Sequence, residues 1–299
     1  MQSIISKEQS SKGENRMKKL IITADDYGMS KAVNDAIDAG IAAGLITTTN
    51  VMTNMPYYKE AVKLKNNPNI SVGLHWVLAC GKPVLPKEEI PTLVTENGDF
   101  FPYPEFRGRL RKKQISFDDI KKELKAQYNL YFDLMGQPDY WNTHQNTHVD
   151  FGIYRLFVDT AVELGIHKMR SHQRIYVKGS DNSQKMPLLW RIAEPSKSKM
   201  LDAWQGNAHK KGIASPDGLI VCLNSSDINN PEYVFKHIEW KDNSVGEYVI
   251  HPATENDSPY FGKIVNQRIR EYEMFTSITT RECLKENGIQ LCDYSVLEL

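Results

Sequence analysis

The chain has 299 residues, 40% of them hydrophobic and 25% charged, with 37 basic and 37 acidic side chains for a formal net charge of zero. That length can bury a large core, as one α/β barrel or as two ordinary domains. Dispersed Lys and Arg at zero net charge leave no electrostatic footprint for nucleic acid or an anionic membrane, and no apolar run approaches the ~20 residues needed to span a bilayer.

Residues 1–16 are polar, rich in Ser, Lys and Glu, and lack the apolar stretch of a secretory signal, so a disordered N-terminal extension is expected there. The rest, 17–299, is expected to form one domain, because nothing resembles a linker between two cores. Leu20 to Ala24 predicts a first strand running into Asp25-Asp26. Lys31 to Ala43 carries Val33, Ala36, Ile37, Gly40 and Ile41 at helical spacing, with Ser30 as N-cap and Gly44 as stop. Thr47 to Met52 is short and β-branched, and Tyr57 to Lys65 predicts a helix ended by Asn66-Asn67-Pro68. The next strand, Ile70 to Leu74, leads into His75. Such alternation marks βα units around a parallel sheet.

From Ala79 to Gln114 the alternation breaks, with prolines at 83, 86, 91, 102 and 104, predicting a long insertion placed to wall a substrate cleft. The basic run from Arg107 to Lys113 inside it reads as a solvated loop offset by Asp118 and Asp119. Ser116 to Met135 returns to helix, with Ile120, Leu124, Tyr128 and Tyr131 on one stripe. Tyr140 to Thr143 is a strand ending at His144, with His148 four residues on. Gly152 to Leu164 is a helix, and His167 to Met169 leads to Arg170. Ser180 to Asp217 is polar and poorly periodic, which predicts a second excursion. A helix over Glu232 to Trp240 precedes the strand Glu247 to Ile250 and His251. Helices over 264–275 and 277–287 and a strand over 289–292 complete the chain. Cys80, Cys222, Cys283 and Cys292 show no CxxC spacing, so a reducing cytoplasm is the expected compartment.

Five predicted strands thus end in polar, metal- or proton-competent residues. In an α/β barrel the loops at the C-terminal strand ends form one rim, so residues distant in sequence converge there. Adjacent acids such as Asp25-Asp26 repel each other unless a cation or proton lies between them, although Asp26 could also cap a turn ahead of Gly28. His75 interrupts an apolar strand, as either a ligand or a core histidine. His144 and His148 could share an ion only if the segment is helical, and Asn146 and Thr147 are poor helix formers. Two imidazoles and a carboxylate match catalytic zinc sites with an open position, and such an N/O set also admits cobalt, nickel, manganese or magnesium. Arg170 and His251 could bind or protonate a substrate, or form structural contacts.

These motifs resemble a known family. Thr23-Ala24-Asp25-Asp26-Tyr27-Gly28-Met29-Ser30 is similar to the TADDFGLS opening of the YdjC-like carbohydrate deacetylases, which include chitooligosaccharide deacetylase. Gly73 to Leu78 with Gly81-Lys82-Pro83 resembles the second block, Thr143 to His148 the SHxHxH block, and His251-Pro252 the late HP pair. The resemblance covers almost the whole chain from Met17. It implies a distorted (β/α) barrel of the glycoside hydrolase/deacetylase type that removes the N-acetyl group of an amino sugar or short chitooligosaccharide. It also implies one divalent ion, Mg2+ or Zn2+, held by Asp26, His75 and His144, with Asp25 as base. His251 is the candidate general acid, and Arg170 would orient Asp25 or the sugar. The roles of Asp25 and Asp26 stay exchangeable at this level. His148 and Asn146 are further candidates for metal or substrate, and Asn146 stands where the family has a central His. The partner implied is a small carbohydrate, with no nucleic acid and no membrane; a homodimer is a further expectation. Two other readings remain open: a glycoside hydrolase, which needs two carboxyls roughly 5–10 Å apart across the scissile bond, and a catalytically silent metal- or sugar-binding protein on the same scaffold.

Overall fold

The computed structural model describes residues 18–150, 152–179, 188–222, 230–240 and 244–298. The expected extension over residues 1–16 lies outside the described residues. Among them, eight strands form one parallel sheet: β1 (Lys18–Tyr27), β2 (Thr48–Val51), β3 (Ser71–Trp76), β4 (Trp141–Thr143), β5 (Arg174–Tyr176), β6 (Gly218–Val221), β7 (Val245–Ile250) and β8 (Ile289–Cys292). Their order is β4-β3-β2-β1-β7-β6-β5, with β8 against Lys18–Ile21, just before the part of β1 that pairs with β2. A parallel bridge between Trp141 and Met169 joins β4 to the segment that leads into β5. The sheet therefore curls round on itself as a distorted β/α barrel, the architecture that the strand and helix alternation predicts.

The helices are α1 (Lys31–Ala42), α2 (Tyr103–Arg111), α3 (Phe117–Met135), α4 (Tyr154–Glu163), α5 (Leu188–Lys210), α6 (Pro231–His237), α7 (Val265–Phe275) and α8 (Ile278–Glu286). Their starts follow the capping chemistry of the sequence. Ser30 Oγ accepts from the Val33 N–H, and Ser116 Oγ accepts from the Asp118 and Asp119 N–H groups. No helix among the described residues is long and apolar enough to cross a membrane.

Four expectations change. Residues 167–169, expected as a strand leading to Arg170, form only isolated bridges to Trp141 and Ala214, and the strand lies further on, at β5. Tyr58–Leu64 is a 3-10 helix instead of an α-helix. The stretch 79–114 is part of the folded body: Ile90, Leu93, Phe100 and Phe106 are buried, and α2 lies inside it. Its backbone is tied to α3, since Glu123 accepts from the Val84 and Leu85 N–H groups and Asp119 from Thr92. The second excursion contains the 23-residue α5. Around Leu201, Gln205 and Ala208, its described buried positions, Lys and Gly residues mask the apolar period.

Side chains alternate along β1. Leu20, Ile22 and Ala24 join the large core, while Ile21 packs with Tyr140 and Tyr294 in a small separate cluster. The Tyr140 and Tyr294 rings stack with centroids 3.8 Å apart. Gly73 makes room for this stack, because a Cβ there would lie 2.4 Å from a Tyr140 ring carbon. Gly73→Ala is therefore expected to destabilise the protein by about 1–3 kcal/mol through overpacking. Urea denaturation measures it, and an unchanged midpoint would show that the stack yields without cost.

Candidate active site

Two adjacent strand residues ordinarily point to opposite faces of a sheet. At the C-terminal end of β1 the pairing with β2 shifts register between Ala24 and Tyr27, and Asp26 has φ +76°. This bulge re-aims the chain so that Asp25 and Asp26 both line one cleft, a use of irregular backbone common beside functional sites. Gly28 completes the turn at φ +100°, where a Cβ would lie 2.9 Å from the Tyr58 α-carbon.

Asp26 is fully buried and faces two imidazoles. Its Oδ1 lies 3.0 Å from His144 Nδ1 and 3.3 Å from His75 Nε2, while its Oδ2 accepts a hydrogen bond from the Arg268 guanidinium on α7. Burial alone would raise the Asp26 pKa, but Arg268 and His144 override it and hold the carboxyl well below its ordinary range. Burial likewise disfavours the His144 cation, yet Asp26 outweighs it and lifts that pKa to about 9. One donor atom from each of Asp26, His75 and His144 falls within 4.8 Å of the others. His75 Nε2 is buried without any hydrogen-bond partner. A buried, unpartnered nitrogen beside a carboxylate and a second imidazole fits a divalent cation.

Asp25 faces the other way. Arg170 grips it through both terminal nitrogens at 2.7 Å, and Arg170 Nε donates to Glu247 Oε1 at 3.1 Å. Thr23 and Tyr294 also donate to Glu247, at 2.8 and 3.0 Å, so the barrel interior below the site is a hydrogen-bonded polar network. Asn50 Nδ2 donates to Asp25 Oδ1 at 2.6 Å. Burial pushes the Asp25 pKa up, but Arg170 overrides it and keeps the carboxyl below the usual range.

His251 follows β7 and places Nε2 3.8 Å from Asp25 Oδ2. Burial lowers its pKa, against the pull of Asp26 and Asp25 and with help from Arg268 and Arg170. About a third of its side chain faces the cleft, where water limits that fall. The cleft, about 420 Å³, is also lined by Gln145, Asn146 and the Tyr260–Gly262 turn. The turns after β4 and β7 supply this lining, and from the 79–114 stretch Cys80 reaches the site, where its side chain interacts with His144.

Beneath His251, Glu271 Oε2 accepts from the His251 N–H at 2.6 Å, and Oε1 accepts from Gln267. Burial raises the Glu271 pKa to about 7. The folded state thus holds a proton that the unfolded chain releases near 4.5, so stability falls as pH rises from about 4.5 to about 7. Glu271→Gln is expected to flatten that slope, and denaturation midpoints at pH 5 and pH 8 measure it. A variant with the wild-type slope would remove Glu271 as its source.

The site therefore unites Asp25, Asp26, His75, His144, Arg170, His251 and Asn146. His148 turns away. Gln145 and Asn146 adopt left-handed φ values of 55° and 52°, which break the helical spacing between His144 and His148. The His148 Nδ1 lies 2.5 Å from Thr143 Oγ1 and its Nε2 lies 3.0 Å from His172 Nε2, in a buried pocket with Trp141 and Phe157. Burial and the neighbouring His172 hold its pKa well below the ordinary value. Sequence reasoning misses Arg268, Glu247 and Asn142. Their common signal is a polar or charged residue at a position where the strand, or the inward stripe of the helix, is buried.

Residues 19–286 match a family model described as YdjC-like protein. A carbohydrate deacetylase of Enterococcus faecalis is 26% identical over 294 residues, covering 94% of this chain and 99% of that one. A chitooligosaccharide deacetylase of Proteus mirabilis is 25% identical, over 93% and 98% of the two chains. Among solved structures, that of a candidate cellobiose-phosphate cleavage protein from Enterococcus faecalis superposes with a TM-score of 0.69 at 25% identity. It covers 93% of this chain and 98% of its own.

Proposed function

Because the chain belongs to the YdjC-like protein family, we propose that it is a divalent-cation-dependent carbohydrate deacetylase acting on an N-acetylated amino sugar or a short chitooligosaccharide. The observation that carries this reading is the convergence of Asp26, His75 and His144 within 4.8 Å, with Asp25 and His251 beside them. The deacetylase names of the relatives support the substrate class.

Asp26, His75 and His144 would hold the cation, which when bound acidifies water and polarises an acetamide carbonyl. Asp26 takes the ligand role because its Oδ1 faces both imidazoles, and Asp25 the base role because it faces none of the cluster. Asp25 Oδ2 receives the proton of the attacking water, held in place by Arg170. His251 Nε2, 3.8 Å from that oxygen, takes the proton on and delivers it to the departing sugar nitrogen, since an amide leaves as an amine only once protonated. One proton thus passes from water to product, and the free His251, with its lowered pKa, starts uncharged and ready to accept it. Tyr260, 43% exposed at the cleft edge, offers a ring face to the sugar.

The test is a screen for acetate released from mono-, di- and trimers of N-acetylglucosamine, after the apoprotein is reloaded with single metals. Acetate with chain length unchanged is the expected product. Shortened oligosaccharides would replace this reading with glycoside hydrolysis, and bound metal with no acetate would replace it with a silent binding protein. His251→Ala is expected to retain a measurable rate, lower by roughly 10²–10⁴-fold.

A further inference from the structure

The reading above requires His75 to present a bare Nε2, and the neighbouring Asn142 governs whether it does. A neutral imidazole carries one ring proton, and only the other nitrogen can bind a cation. Which nitrogen holds the proton follows from what His75 Nδ1 meets, and it meets the Asn142 amide at 2.6 Å. With the amide oxygen toward His75, Nδ1–H donates and Nε2 is left free. The Asn142 nitrogen then lies 2.9 Å from both terminal nitrogens of Arg170 and 3.0 Å from Asn50 Nδ2, all of them donors. Its acceptor in that orientation is Asp25 Oδ1, at 3.3 Å.

A half-turn of the amide reverses every contact. The oxygen then accepts from Arg170 and Asn50, and the nitrogen donates to His75 Nδ1. The ring proton must in that case sit on Nε2, facing Asp26 Oδ1 across 3.3 Å, where a cation would otherwise bind. Asn142 and His75 are both 1% exposed, so bulk water does not relieve the conflict. A single amide oxygen cannot serve both sides.

We infer that Asn142 is a positioning residue that sets the tautomer of His75 and limits the affinity of this site for a divalent cation. The amide oxygen faces Arg170 and Asn50 in the cation-free protein and turns to His75 when a cation is held. The energy of that turn is subtracted from binding. An aspartate at this position would offer one oxygen to His75 and one to Arg170 and Asn50, so Asn142→Asp serves both sides at the cost of a carboxylate oxygen 3.3 Å from Asp25 Oδ1. The inference rests on the cation reading of the site and adds to it a specific determinant of affinity.

The experiment uses the full chain, stripped by chelation and titrated with Zn2+ alone by calorimetry. Long-range 15N correlation spectra assign the His75 tautomer, with His75→Gln identifying its signals. Wild type is expected to carry the proton on Nε2 without zinc and on Nδ1 with it. Asn142→Asp is expected to carry it on Nδ1 throughout and to bind zinc on the order of 10-fold or more tightly. Wild type that is already Nδ1–H without zinc overturns the inference. So does tighter binding by Asn142→Asp with no change of tautomer, since added negative charge alone explains that. Should Asn142→Asp fail to fold, the two wild-type spectra decide the matter. Zinc binding by neither form overturns this inference and the deacetylase reading together, whereas zinc binding with a constant His75 tautomer overturns this one alone.

Discussion

Alanine at His75 is expected to yield a folded protein that retains no divalent cation through dialysis and releases acetate at a rate lower by on the order of 10³-fold or more. The ring is buried at the end of β3, and its Nε2 is a buried nitrogen without a hydrogen-bond partner beside Asp26. Removing it leaves Asp26 and His144, too few protein ligands for a catalytic site of the usual three. The fold should survive, because the lost volume sits at the open rim instead of deep in the helix-facing core. Elemental analysis after dialysis and an acetate assay are the two readouts. Full metal content together with a full rate would remove His75 from the ligand set and leave Asp26 and His144 unexplained as a pair.

Arg170→Met is the change expected to cost most stability, roughly 3–5 kcal/mol, because it strips a buried charge from two carboxyl groups at once. Arg170 is 4% exposed and binds Asp25 through two bonds and Glu247 through a third. The pH dependence follows from Asp25. In wild type its lowered pKa contributes stability that is present above the unfolded value near 3.8 and is lost as pH falls through the folded value. Without Arg170 burial dominates, Asp25 holds its proton to higher pH, and the variant is least impaired in acid. Chemical denaturation at pH 4.5 and pH 8 should therefore show a larger gap between variant and wild type at the higher pH. An equal gap at both would mean that packing, not charge, is what Arg170 supplies. Adding Glu247→Gln to the variant should recover part of the loss.

The rim residues were legible because each stands just after the apolar or β-forming run of a predicted strand. Asp25, Asp26, His75, His144, Arg170 and His251 all meet this condition, and the barrel brings them to one cleft. The division of labour between the two aspartates was not legible, since it depends on a register shift and a positive φ at Asp26 that no composition rule marks. His148 failed for a related reason. The HxxxH spacing has meaning only on a continuous helix, and two left-handed residues interrupt this one. Arg268 lies on the buried face of α7 with Glu271 and Phe275, at spacings of three and seven residues. A charged residue on that stripe was a readable sign of a buried partner. Glu247, central in β7, was another. The α5 helix left no comparable sign, because the described part of its buried face is narrow and carries Gln205 between Leu201 and Ala208.

The strand order also separates tasks along the chain. The three proposed metal ligands come from β1, β3 and the turn after β4, all before residue 145, whereas Arg170, Glu247, His251, the Tyr260 edge and the Arg268 that binds Asp26 come from the later half. Recombination between relatives at a crossover near Gly165 would therefore exchange Arg170, His251, Arg268 and the Tyr260 edge while inheriting Asp25 and the three proposed metal ligands intact. Such chimaeras offer a direct route to altered substrate preference at constant metal identity.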